Sequence, residues 1–207
     1  MKSESIAFGI AGVFFGLIAG WIIGSQQAAG VRSTATLAPQ TASAPIGDTS
    51  GTTRAAVLDE AQVTALKSVA EREASNAAPR VQLGNLYFDA ERYDDAIKWY
   101  EQAVKLSPND VNVSTDLGVS YYYSNQPDKA LQQFDHSLKV DPKHAKTLLN
   151  VGIVRAFGKQ DLDGASQAWQ QVIALAPDGP EAQAAKRALE GLRSAHPPTG
   201  GTQKPGG

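Results

Sequence analysis

Few side chains in this sequence are of types that do covalent or acid–base chemistry. His136, His144 and His196 are the three histidines, and they could move protons or ligate a metal. None forms a His-x-x-x-His pair, and two ligands flanking Pro142 do not complete a zinc site. Cys 0 excludes disulfides, thiolate metal sites, cysteine nucleophiles and a lipidated N-terminal cysteine. The adjacent acids Asp94 and Asp95 could serve as general acid and base, but acids beside a helix start are ordinarily solvated. Gly118-Val119-Ser120 runs on into Tyr121-Tyr122, so no nucleophile turn forms, and there is no glycine-rich phosphate loop. Lys+Arg 19 against Asp+Glu 21 leaves a net charge of -2, without the basic face that nucleic acid requires. The sequence predicts no enzyme activity, no cofactor, no metal and no nucleic-acid partner.

What remains is apolar and aromatic chemistry, and the elements that position it. After an arm of residues 1–5, Ile6 to Gly24 carries no charge. As a helix this stretch would span about 28 Å, close to a bilayer's hydrocarbon core. A cleaved signal peptide is the competing reading, with Ala28-Ala29-Gly30 as its passable site, but its apolar region is normally shorter. The length favours an uncleaved transmembrane signal anchor. Gly12, Gly16, Gly20 and Gly24 fall nearly on one face of that helix, where another backbone could approach closely. Lys2 before the span gives a slight bias toward a cytoplasmic N-terminus. Together with the Ala/Thr/Pro style of the linker, this points to a single-pass bacterial inner-membrane protein with its folded part in the periplasm. Residues 25–56, rich in Ala, Ser, Thr, Gly and Pro, read as a disordered linker, and residues 195–207 as a disordered tail.

Between these flanks, residues 57–194 repeat. Gly84, Gly118 and Gly152 are spaced 34 and 34; Ala96, Ala130 and Ala165 are spaced 34 and 35, as are Pro108, Pro142 and Pro177. The additional residue of the third unit therefore lies between Gly152 and Ala165, with Phe157-Gly158-Lys159-Gln160 as the expected turn. Leu83-Gly84-x-x-Tyr87, Ala96, Tyr100, Ala103 and Pro108 define repeat 77–110. Leu117-Gly118-x-x-Tyr121, Ala130, Phe134, Ser137 and Pro142 define 111–144. Val151-Gly152, Ala165, Trp169, Val172 and Pro177 define 145–179, with Arg155 where a tyrosine is expected. This pattern resembles the tetratricopeptide repeat family. The same register predicts a half-repeat over 58–75, opened by Asp59-Glu60-Ala61-Gln62 and burying Leu66, Val69 and Ala70, and a capping helix over 180–194. The expected fold is an all-α solenoid of eight helices, preceded by one transmembrane helix.

The resemblance implies that the first helix of each unit lines a concave face. By that register the inward positions are Val81, Asn85, Phe88 and Asp89; Thr115, Val119, Tyr122 and Tyr123; and Lys146, Leu149, Ile153, Ala156 and Phe157. Some members of the family hold a C-terminal carboxylate with a Lys/Asn/Arg set. Asn85 and Lys146 match two of those positions, but Val81, Asp116 and Asn150 depart from the other three, so no such clamp is expected. An apolar, aromatic groove implies a protein or peptide partner held with little dependence on salt. The leading expectation is a membrane-anchored adaptor, in the assembly or biogenesis of envelope proteins. A self-associating scaffold, paired through the glycine face as a homo-oligomer, is the second. The run Trp169 to Asp178 also resembles the repeat part of bacterial cytochrome c biogenesis proteins, implying a cytochrome c maturation factor.

Overall fold

The computed structural model describes residues 56–195. The expected anchor with Gly12, Gly16, Gly20 and Gly24, the linker as far as residue 55 and the tail from residue 196 lie outside the described residues. Among the described residues there are eight α-helices and no strand, and none of those helices is long and apolar enough to cross a membrane. They are α1 (Glu60–Arg72), α2 (Ala78–Asp89), α3 (Tyr93–Leu106), α4 (Val111–Tyr123), α5 (Pro127–Val140), α6 (Ala145–Ile153), α7 (Leu162–Leu175) and α8 (Pro180–Ala195). The last helix runs through Ala195, one residue beyond the expected end of the capping helix.

Helix starts follow from local chemistry. Asp59 Oδ1 accepts from the Ala61 and Gln62 amides, Asp110 Oδ1 from Asn112 and Val113, and Asp161 Oδ1 from Gly164, each satisfying donors that a first turn leaves orphaned. Pro127 opens α5, where its missing N–H costs nothing. The helices α3, α5 and α7 each stop two residues before Pro108, Pro142 and Pro177, since the residue before a proline is pushed out of the helical region. At the other end of α1, Arg80 donates to Ala70 O at 2.9 Å and Asn76 O at 2.8 Å, covering orphaned carbonyls.

The pairs α2–α3, α4–α5 and α6–α7 are the three repeats. Each is closed by one ring laid on one glycine: Tyr100 on Gly84, Phe134 on Gly118 and Trp169 on Gly152. A methyl on any of the three would come within 3.0 Å of the ring. The rings are buried, with Trp169 1% exposed. Their polar atoms are satisfied, as Trp169 Nε1 donates to Leu149 O at 3.2 Å and Tyr100 Oη to Asn85 Oδ1 at 2.6 Å. In the middle repeat Ser137 replaces the small apolar residue. It is buried and donates to Ser114 Oγ at 2.8 Å, and Gln133 completes the set at 2.6 Å. No buried side-chain polar atom lacks a partner among the described residues.

The helix α1 packs on the first repeat. Val63 is its most deeply buried side chain, followed by Ala70; Leu66 and Val69, expected at the centre of the contact, are half-buried. Val63 precedes Ile97 by 34 residues, so the register is right but its centre lies one turn earlier. At the far end, α8 buries Ala182, Ala184, Ala185, Ala188 and Leu189 and leaves Lys186, Arg187 and Arg193 exposed.

Candidate functional site

The turns between the two helices of each repeat set the geometry of the candidate face. Glu91, Asn125 and Gln160 are left-handed there, with φ of 57°, 59° and 56°. In the first two turns the amide after the left-handed residue reaches back five residues, Arg92 to Tyr87 O at 2.8 Å and Gln126 to Tyr121 O at 2.9 Å. In the third it reaches back six, Asp161 to Arg155 O at 2.8 Å. The additional residue is absorbed as a π turn over Val154–Gly158 that widens the end of α6, not in the loop after it.

This changes the register of the third repeat. Counted back from the left-handed residues, Phe88, Tyr122 and Phe157 occupy one position. The sequence register, counted from the helix starts, instead aligned Ala156 with Phe88 and Tyr122. On the same count Ala156 falls with Tyr87 and Tyr121, tucked inward at 6% exposure, while Phe157 is 40% exposed. The π turn therefore keeps an aromatic at the same place in all three repeats.

Around this row the rings touch. Phe88 meets Tyr93 edge-on at 5.3 Å and Tyr123 at 5.6 Å; Tyr93 stacks on Tyr123 at 5.0 Å; and Tyr122 lies 5.8 Å from Tyr123. Burial pushes the Tyr122 phenol up to about 12 and raises Tyr93 and Tyr123 as well, so all three stay neutral at physiological pH. Tyr93 was not singled out in the sequence. It is the first residue of α3 and stands outside both the core register and the inward positions of the first helices, and only the fold brings it to Tyr123.

The other inward positions divide. Thr115, Val119, Leu149 and Ile153 are buried and serve the packing of α4 and α6. Thr115 gives its hydroxyl proton to Val111 O at 2.7 Å, so Thr147 donates to Thr115 at 2.7 Å and the His144 Nδ1–H donates to Thr147 at 2.7 Å. Val81 and Asn85 are half-buried, with Asn85 committed to Tyr100. Lys146 is paired with Asp116 at 2.7 Å, both side chains largely covered. Tyr121, a residue of the repeat motif, is half-buried. It donates to Glu101 Oε1 on the preceding repeat at 2.6 Å.

The histidines are not brought together. His144 joins the threonine chain, and His136 Nε2 lies 3.1 Å from Pro108 O. Among the described residues no three His, Asp or Glu side chains converge as metal ligands would.

Residues 84–124 match the family model described as a TPR repeat, and residues 115–180 that of the tetratricopeptide repeat. The array is a tetratricopeptide repeat domain. No curated protein matches the sequence. Solved structures with this fold include a crystal structure of MamA protein, with a TM-score of 0.55 and 23% identity over 64% of this chain and 74% of that one. The NMR structure of the first TPR domain of human RPAP3 is similar at a TM-score of 0.52 and 23% identity, over 57% of this chain and 93% of that one. At these identities the likeness is one of fold. Tetratricopeptide repeat arrays generally mediate protein–protein interaction, and the scaffold is typically non-catalytic.

Proposed function

We propose that this tetratricopeptide repeat domain is the binding module of a membrane-anchored adaptor, which grips a segment of another protein along the row Phe88, Tyr122 and Phe157. The observation that carries this reading is the π turn. It keeps Phe157 in register with the other two rings although the third repeat is one residue longer. The fold itself is closed by the ring-on-glycine pairs, and a second set of aromatics recurs about one turn further along the first helices, where Phe88 and Tyr122 rest on the core and Phe157 is exposed. Aromatic side chains with half-covered faces are the usual anchors of protein interfaces. The segment Ile6–Gly24 would hold the domain at the bacterial inner membrane, facing the periplasm, with Gly12, Gly16, Gly20 and Gly24 as a face for helix pairing.

Site-specific photocrosslinking of the full-length chain in its own membranes tests this. A benzoylphenylalanine in place of Phe157 should give a discrete crosslinked partner, and one in place of exposed Leu175, at the end of α7, should not. Equal yields from both positions, or none from either, would contradict it.

A further inference from the structure

The charge at one end of this face is unusual. Asp89 is the last residue of α2 and half-buried, yet it takes part in none of the ion pairs among the described residues. Its neighbours in kind are engaged. Asp116 has Lys146, Asp95 has both Arg92 and Lys98, Asp94 accepts from Ser124, and Glu101 accepts from Tyr121. Burial without a counter-ion raises the Asp89 carboxyl, and its place at a helix C-terminus adds the repulsion of the helix dipole.

A second carboxylate stands nearby. Glu91, held left-handed in the turn, lies within electrostatic reach of Tyr93 and Tyr123. The one cation of that turn, Arg92, is directed away, to Asp95 at 2.6 Å and over the Tyr87 ring at 4.8 Å. The first-repeat end of the aromatic row is thus negative and rich in ring faces, both of which attract a cation. An acidic or carboxylate-ended segment would be repelled there.

We propose that the segment held by this domain presents an arginine or lysine to Asp89 at the first-repeat end, with its apolar residues running on over Phe88, Tyr122 and Phe157. This rests on the groove reading given above. Asp89 sets the orientation of the segment and selects a basic partner, and Glu91 adds to the field that guides it in. Binding then weakens with salt, in place of the salt-insensitive capture expected from an aromatic groove alone.

The experiment selects a displayed library of random 12-residue peptides on the full-length chain in detergent, and repeats the selection on Asp89→Asn and on Tyr122→Ala with Phe157→Ala. The enriched peptides should carry Arg or Lys beside apolar residues, and one such synthetic peptide should bind Asp89→Asn about tenfold more weakly at low salt. Because Asp89 is a desolvated charge without a partner, Asp89→Asn should melt no lower than the wild type, which separates lost binding from lost folding. Peptides that enrich without basic residues, or that bind Asp89→Asn unchanged, overturn this inference alone. Peptides that ignore the Tyr122 and Phe157 substitutions, or no enrichment at all, overturn the groove reading and this inference with it.

Discussion

The indole of Trp169 lies on the backbone of Gly152, so close that a methyl group there would fall within 3.0 Å of the ring. The ring cannot retreat easily, because it is buried and its Nε1–H is bonded to Leu149 O at 3.2 Å. Gly152→Ala gains up to about 1 kcal/mol from helix propensity, but overpacking costs about 1–3 kcal/mol. We expect a net loss of stability, read as a lower denaturation midpoint with helical content unchanged. A variant as stable as the wild type would show that the ring is free to move.

The half-repeat is expected to be part of the folded unit. Val63 of α1 is 1% exposed, and Leu58 and Leu66 pack on the same cluster as Leu83, Tyr87 and Ile97. Removing α1 uncovers that cluster at a cost of about 2–4 kcal/mol. Thermal melting of residues 57–195 beside residues 77–195 checks this, and coincident curves would reduce α1 to linker.

Acid should weaken the joint between the second and third repeats. His144 is lowered from its ordinary 6.5, chiefly by burial, while Asp141, Asp116 and Glu181 pull it up and Lys146 pushes it down. The unfolded chain therefore takes up a proton near pH 6.5 that the folded chain resists, so stability present above that pH fades as pH falls through it. In His144→Asn the side-chain amide can keep the donation to Thr147 without titrating. Its denaturation midpoint should then be flatter between pH 7.5 and 5.5 than that of the wild type. Parallel slopes in the two proteins would remove His144 from the account.

The full-length chain should stay in the membrane after alkaline extraction, and protease added outside a permeabilised outer layer should digest the repeats. Release of the chain, a mature form starting near residue 30, or protected repeats would each contradict the proposed anchor and its orientation.

The repeat was legible in the sequence because its core is spaced by a fixed period and its ring-bearing positions face glycine. Gly84, Gly118 and Gly152, and the rings set against them, could be paired from spacing alone. The aromatic face was only half legible. The repeat register carries no sign that one helix widens near its end, so it sets both Ala156 and Phe157 on the inward face, whereas Ala156 is buried and Phe157 alone is exposed. Thr115, Val119, Leu149 and Ile153 share a face with Tyr122, but shorter side chains near the middle of a first helix are covered by neighbouring elements. Tyr93 comes from another helix altogether. The lack of a counter-ion for Asp89 could not be read either, since it depends on Lys146 reaching Asp116 and Arg92 turning to Asp95.

The most direct measurement compares partner recovery by the full-length chain carrying Tyr122→Ala with Phe157→Ala against the wild type, alongside Trp169→Ala. The first variant should lose nearly all of the crosslinked or co-purified partner, since two interface anchors at about 2 kcal/mol each amount to roughly a thousandfold in affinity, while its melting curve shifts little. Trp169→Ala should destabilise the array by about 3–5 kcal/mol. Undiminished recovery by the Tyr122 and Phe157 variant, or its unfolding, would contradict the claim that the aromatic row is the binding surface.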